Sequence, residues 1–280
     1  MNLFAESIVQ KGRIFRNIFL FLAVYFDEFV ISLHRQKRFI FSFMKKFFLK
    51  FMYYPFIRLR TKKGYGIHSP FVFHFITEVL DCKYEYYTFE ELDDLRESIM
   101  PDTDIKSLKY YHLLYRISNY FNPSRIISIG NNNLSLLSSF YLTVPKSDIH
   151  TCILDATLNP DISVEFSESP LFKRVSFLET INSLSDITRF LSNIDSIDIL
   201  YLSKDNNLMI EIWDFLTMCF TKLHHNSLLI VEDISSSDKA SLLWTKICES
   251  PNTTATLDLK YFGIAFFSDN LWKKNYMLYL

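Results

Sequence analysis

The residues best placed to do chemistry stand where apolar runs end. RIISI (125–129) runs into Gly130 and then Asn131, Asn132 and Asn133; DIHTCIL (148–154) runs into Asp155. SIDILYL (196–202) runs into Ser203, Lys204 and Asp205, and SLLIV (227–231) into Glu232 and Asp233. A glycine after an apolar run permits a tight turn and a close approach of backbone to a ligand. A helix starting just beyond it offers free N–H groups. Asparagine tolerates left-handed backbone and can replace part of glycine's freedom, but the full G-x-G-x-x-G pattern is absent. Asp155 follows Gly130 at about the spacing at which a carboxylate holds a ribose diol; it reads equally well as a solvated or capping aspartate. Asp205, Glu232 and Asp233 can accept a proton or hold a divalent cation, or simply be polar loops at a sheet rim. His68 and His74 lack the i,i+4 spacing of a metal pair and are read as capping and packing residues. His224 and His225 are read as solvated residues at the opposite edge.

The elements that must position these residues follow from the pattern of apolar runs. Strands are expected at Arg125–Ile129, Asp148–Leu154, Arg174–Leu178, Ser196–Leu202 and Ser227–Val231, then at Ala255–Asp258 with Gly263–Phe267, and at Tyr276–Leu280. Helical spacing marks 106–120, 134–142, 183–191, 208–223 and 238–249. Ser69 before Pro70 is a helix start, a hydroxyl N-cap followed by proline in the first turn, with the helix running to about Leu80. Continuous apolar strands alternating with helices imply an α/β fold, a doubly wound, mostly parallel, seven-stranded Rossmann-like sheet covered on both faces. Ligands of such sheets bind beyond the carboxyl ends of the strands. That is where Gly130, Asp155, Ser203 and Asp233 fall.

Charge divides the chain in two. Residues 1–63 hold 13 of the 30 Lys/Arg, 3 of the 31 Asp/Glu and 13 of the 28 phenylalanines, so the remainder is acidic. We read 1–63 as a basic, aromatic-rich helical extension and 64–280 as the α/β domain. The run NIFLFLAVYF (17–26) ends in Asp27 and Glu28 and is too short to span a membrane; no small-residue cleavage site follows it. Residues 35–63 interleave Lys/Arg with Phe, Met and Tyr and contain no acid. Such a segment suits a helix packed on the domain, or an anionic membrane surface; nucleic acid is the least favoured partner. The expected location is cytoplasmic, peripheral on the inner face of the membrane if the segment binds lipid. Met44 offers a second start for translation. The four scattered cysteines form no C-x-x-C pair, which argues against a zinc site or disulfide framework and fits a reducing compartment.

GYGIHSPFVFHFI (64–76), RIISIG (125–130), LLIVEDI (228–234) and ATLDLKYFGIAFF (255–267) together resemble a family of bacterial class I S-adenosylmethionine-dependent methyltransferases. The resemblance covers about residues 56–280. It implies that Gly130 approaches the cofactor with Asn131 and Asn132 beside it, that Asp155 binds its ribose, and that Asp233 is the second acid after the fifth strand. Ser203, Asp205, Glu232 and Asp233 would line the cleft for a small-molecule substrate, with Asp233 and Asp205 as the groups able to serve catalysis; no metal ion is assigned. The chain departs from the pattern at the centre. Ser128 stands at the strand-one glutamate, Leu134 at the second glycine, Ser203 at the strand-four aspartate and Ser235 at a histidine or tyrosine. Two functions follow from this: a working methyltransferase, or a catalytically inactive descendant serving as a binding or scaffolding module.

Overall fold

A computed structural model describes residues 67–99, 105–130, 133–154, 172–178, 184–204 and 211–278. Their elements, in chain order, are helix α1 (Pro70–Phe75, continuing as a π-helical turn over Ile76–Leu80), α2 (Thr88–Ile99), α3 (Ile105–Phe121), β1 (Arg125–Ile129), α4 (Asn133–Thr143), β2 (His150–Leu154) and β3 (Val175–Leu178). Then come α5 (Leu184–Ser192), β4 (Ile197–Leu202), α6 (Ile212–Phe220), β5 (Leu223–Glu232), α7 (Asp238–Glu249), β6 (Ala255–Asp258), β7 (Phe262–Phe266) and β8 (Lys274–Met277).

The strands form one sheet in the order β3-β2-β1-β4-β5-β7-β6-β8, eight strands rather than the expected seven. Ala255–Asp258 and the segment starting at Phe262 are separate antiparallel neighbours, and the last strand pairs parallel with β6. β1 to β5 pair in parallel, and β7 runs antiparallel to β5. Strand alternation sends side chains to two cores. Ile126, Ile199, Tyr201, Leu228 and Ile230 pack with α1 to α4; Ile127, Leu200, Leu202, Leu229 and Val231 pack with α5 to α7. Continuous apolar strands are therefore what the doubly covered sheet demands.

Ser69 caps α1 as expected, its hydroxyl accepting from the Val72 N–H at 3.4 Å, with Pro70 in the first turn. The helix over Thr88–Ile99 was not expected from the sequence pattern. It has a readable signature in Phe89, Leu92, Leu95 and Ile99 at helical spacing and Glu90 and Glu91 in its first turn. β5 begins at Leu223, earlier than expected, because a register shift opposite Asp198 lets His224 to Ser227 bulge out before regular pairing starts at Leu228. Among the described residues no helix is long and apolar enough to cross a membrane. The extension over 1–63, including the basic stretch 35–63, lies outside the described residues.

Candidate functional site

β1, β4 and β5 end side by side, with Ile129 opposite Leu202 and Leu202 opposite Val231, so the residues that follow converge on one rim. Gly130 sits in its centre. A Cβ there would lie 2.4 Å from Ser135 Cβ and 2.8 Å from Ser203 Cβ. Glycine is thus required for space: α4 turns back over the strand end so closely that its own Ser135, and Ser203 from β4, fill the direction a side chain would take. Gly263, a further glycine of the resemblance, has the same kind of cause, since a Cβ would meet the Trp244 ring at 2.5 Å.

Ser128, two residues earlier, is completely buried. Ser139 Oγ lies 2.8 Å from Ser128 Oγ and 2.7 Å from the Ser135 carbonyl. A single hydroxyl proton serves one acceptor at a time, so the two serines share protons within the β1–α4 contact. The position that an acid would occupy is neutral and hydrogen-bonded inside the chain.

Glu232 is the organising group of the rim. Its Oε2 accepts from Ser203 Oγ at 3.0 Å, the Lys204 N–H at 3.1 Å and Tyr201 OH at 3.2 Å. One carboxylate oxygen therefore ties the end of β5 to the end of β4. Tyr201 is fully buried; burial first, and then the Glu232 charge, push its phenol well above the usual range. Tyr111 of α3 is raised for the same reasons in the same order. Next to Glu232, Asp233 adopts a left-handed backbone (φ 52°), its N–H donating to the Tyr261 carbonyl at 2.5 Å. Aspartate is among the residues that tolerate this region. Its carboxylate stands 3.5 Å from Lys204 Nζ, a half-exposed ion pair of small energetic worth. Tyr110 nearby is pushed up to about 12 by burial, with Tyr261 and Asp233 adding to the shift. Ser235 is exposed and donates to the Lys260 carbonyl at 2.9 Å. As chemistry, the rim offers a carboxylate network built on Glu232 and a second carboxylate in Asp233, paired with Lys204.

Of the residues singled out from sequence, Gly130, Ser203 and Asp233 are brought to this rim. Asn131, Asn132, Asp155 and Asp205 lie outside the described residues, as does the side chain of Leu134. Tyr201, Tyr110 and Tyr111 were missed: a tyrosine inside an apolar strand or helix carries no local sign that it stands near a carboxylate. His224 lies at the opposite edge as expected, but it is not merely solvated. Its Nδ1 accepts the Asn226 N–H at 3.2 Å, which leaves Nε2 as the donor to Asp198 Oδ1 at 2.7 Å. His225 is exposed. Among the described residues no cluster of three or more His, Cys, Asp or Glu could hold a metal ion.

No protein-family model matches the chain, and no curated protein matches it. Solved structures similar to it include a methyltransferase from Geobacter sulfurreducens (15% identity, 69% of this chain and 95% of that one, TM-score 0.46). An O-methyltransferase from Bacillus cereus in complex with SAH is 12% identical over 69% of this chain and 96% of that one, with a TM-score of 0.47. An O-methyltransferase from Streptomyces achromogenes in complex with SAM is 13% identical over 66% and 91%, with a TM-score of 0.46. The strand order and the antiparallel β7 decide the architecture. The fold is a doubly wound, mostly parallel, Rossmann-like α/β sheet.

Proposed function

We propose that the chain is an S-adenosylmethionine-dependent methyltransferase-like protein acting on a small molecule. The observation that supports this most is the convergence of Gly130, Ser203, Glu232 and Asp233 at the carboxyl ends of β1, β4 and β5, where doubly wound sheets bind ligands. The rim fits the cofactor in part. Backbone at Gly130, Asn131 and Asn132 and the start of α4 would hold its adenosyl portion, Asp155 its ribose, and Ser203 would face it. The bound cofactor would supply an electrophilic methyl group. The chain's own part would be to orient the accepting atom toward that methyl, which counts for more than proton removal in such a transfer, and to take the proton at Asp233 or Asp205. The boundary at residues 63/64 and an anionic-surface contact through 35–63 belong to the same proposal.

A second reading, an inactive binding or scaffolding module, is favoured by one specific observation. Ser128 is sealed into a hydroxyl pair with Ser139, and the space above Gly130 belongs to Ser135 and Ser203. No carboxylate at 128 meets a cofactor amine, and a charge-assisted hydrogen bond of this kind is worth about 1.5–3 kcal/mol. Calorimetry and thermal unfolding of the full chain with S-adenosylhomocysteine separate the two. Ligand at about 100 times its dissociation constant raises stability by roughly 2.7 kcal/mol. Absence of heat and of any shift at about 1 mM ligand, the upper end of ordinary substrate affinities, leaves the scaffold. Co-sedimentation with phosphatidylserine vesicles, lost when Lys45, Lys46 and Lys50 become glutamine, checks the surface contact.

A further inference from the structure

The turn that joins β6 to β7 is tied to the loop after β5 by two hydrogen bonds. The Asp233 N–H donates to the Tyr261 carbonyl at 2.5 Å, and Ser235 Oγ donates to the Lys260 carbonyl at 2.9 Å. Both sides of this junction carry left-handed backbone at a residue other than glycine, Asp233 (φ 52°) and Lys260 (φ 75°). Aspartate tolerates that region, whereas lysine is not among the residues that favour it. The turn keeps its course through its ties: the Lys260 N–H donates to Asp258 Oδ1 at 2.8 Å, and the Leu259 N–H to the Phe262 carbonyl at 2.8 Å. The junction is thus a fixed shelf beside the rim that carries the Asp233 carboxylate and the Tyr261 ring.

Tyr261 is 45% exposed. Its ring meets that of Tyr110 on α3 at 5.4 Å and 65°, and Tyr110 in turn lies 5.3 Å from the buried Phe262 ring. An exposed ring propped in this way offers π surface to a ligand. Burial, and after it Tyr261 and Asp233, raise the Tyr110 phenol, in keeping with rings and carboxylate that share one neighbourhood.

Both groups already hold an ammonium, and each ammonium is the chain's own. Lys204 Nζ stands 3.5 Å from Asp233 Oδ2, and Lys260 Nζ lies 5.0 Å from the centre of the Tyr261 ring. The Lys204 side chain is 50% exposed and that of Asp233 24%. Ion pairs and cation–π contacts in reach of solvent are weak, and a lysine stem is flexible enough to withdraw its head into water. A ligand cation would replace like with like. An anion would have to draw the lysines off their partners and then face the uncovered Asp233 carboxylate. The combination of a carboxylate with an aromatic face therefore favours an ammonium ligand.

We propose that Asp233 and Tyr261, with Tyr110 supporting the ring, form an ammonium subsite at the rim, which takes the cationic nitrogen of a small-molecule amine in place of Lys204 and Lys260. Its reading as the substrate's own cation rests on the methyltransferase-like function proposed above, and makes that substrate an amine. Of the two acids named there for proton uptake, Asp233 then binds the ligand and Asp205 remains.

The test titrates the full chain with benzylammonium chloride, sodium benzoate and benzyl alcohol, one ring with three charges, at neutral pH and matched ionic strength, by calorimetry and ligand-observed NMR. The variants D233N, Y261L, K204M and K260M are carried in parallel. Asparagine adopts left-handed backbone at least as readily as aspartate, and Lys204 and Tyr261 are exposed; thermal unfolding checks that each variant folds. The expected result is saturable binding of benzylammonium, with benzoate and the alcohol at least about tenfold weaker, as the loss of a charge-assisted contact requires. D233N weakens amine binding about tenfold or more, and Y261L about two- to fivefold. K204M and K260M, which remove the resident ammonium groups, tighten it about two- to fivefold. No saturable response to benzylammonium in the wild type, K204M or K260M overturns the proposal. So does benzoate or benzyl alcohol binding as well as the amine, unchanged binding in D233N or Y261L, or weaker binding in K204M and K260M. S-adenosylhomocysteine is absent from every arm. A chain that binds it but no amine keeps the methyltransferase-like reading and loses the subsite, and a chain that binds only the amine does the reverse.

Discussion

The two ends of β4 use the same device for different purposes. At its start, Asp198 accepts the N–H groups of Ser124 and Arg125 at 2.8 and 2.9 Å and the His224 Nε2–H at 2.7 Å, joining β1, β4 and the first turn of β5. Beyond its end, Glu232 accepts from Tyr201, Ser203 and Lys204, joining β4 and β5. Each is a carboxylate that collects donors where backbone pairing stops. At the start of β4 the donors include two backbone amides and a histidine of fixed tautomer, and a bulge closes over them. At the far end the donors are side-chain hydroxyls and one amide, and the neighbouring residue has a left-handed backbone and a carboxylate paired only with the half-exposed Lys204 among the ion pairs of the described residues. An acid at a strand end is therefore no sign of catalysis in itself. What distinguishes the rim is the second acid, Asp233, which the fold does not consume in the same way.

The largest expected effect comes from filling the space that holds the rim together. Gly130→Ala places a methyl group inside contact distance of Ser135 and Ser203, and since both contacts are to Cβ atoms rather than flexible side-chain ends, backbone must move. We expect a loss of about 3 kcal/mol, the upper range for overpacking, read as a lowered urea midpoint with unchanged slope. A loss below about 1 kcal/mol would mean the rim is loose and that Gly130 is kept for a ligand instead.

Asp198→Asn is next, at about 2–3 kcal/mol for charge-assisted bonds to a half-buried acid. The amide cannot accept from both sides, and its NH₂ would meet either the His224 Nε2–H or a backbone N–H. Burial raises the Asp198 carboxyl, but the hydrogen bonds from Arg125, His224 and Ser124 outweigh it and hold the group below its usual 3.8. A depressed carboxylate contributes stability above its unfolded value and loses it as pH falls through the folded one. Wild type and Asp198→Asn should therefore differ most at neutral pH and converge as the pH falls below 3.8 and through the depressed folded value; chemical denaturation across the acid range checks it. Glu232→Gln should cost less, about 1–2 kcal/mol, because Tyr201, Ser203 and Lys204 all donate to Oε2 and an amide oxygen can take that place. If Glu232→Gln proves the costlier of the two, the rim is the more rigid end and the comparison is inverted.

How far this contrast could be read in advance depended on whether the cause was local. RIISI, IDILYL and ATLD fell at β1, β4 and β6 because buried parallel strands must be apolar throughout, and Ser69-Pro70 marked α1 because capping is a local matter. The resemblance brought Gly130, Ser203 and Asp233 to one rim. Asp198 and Tyr201 stayed hidden, since each gains its meaning from residues 26 to 74 positions away. His224 misled for the same reason: two adjacent histidines look solvated until the bulge turns one of them inward. α2 escaped because its acidic residues masked a regular apolar spacing.

The smallest expected effect tests the most local difference. Ser139→Ala removes the partner of the buried Ser128 hydroxyl and leaves it to find another acceptor, for a loss of about 1 kcal/mol in thermal unfolding. Ser128→Ala combined with it should restore most of that loss, because replacing both partners of a buried pair by apolar groups is nearly neutral. That outcome makes position 128 part of the packing between β1 and α4, equivalent in kind to the clamp at Asp198. If the double variant regains its stability but loses a measured affinity for S-adenosylhomocysteine, the hydroxyl pair belongs to the ligand, and the acid missing at 128 has a neutral substitute.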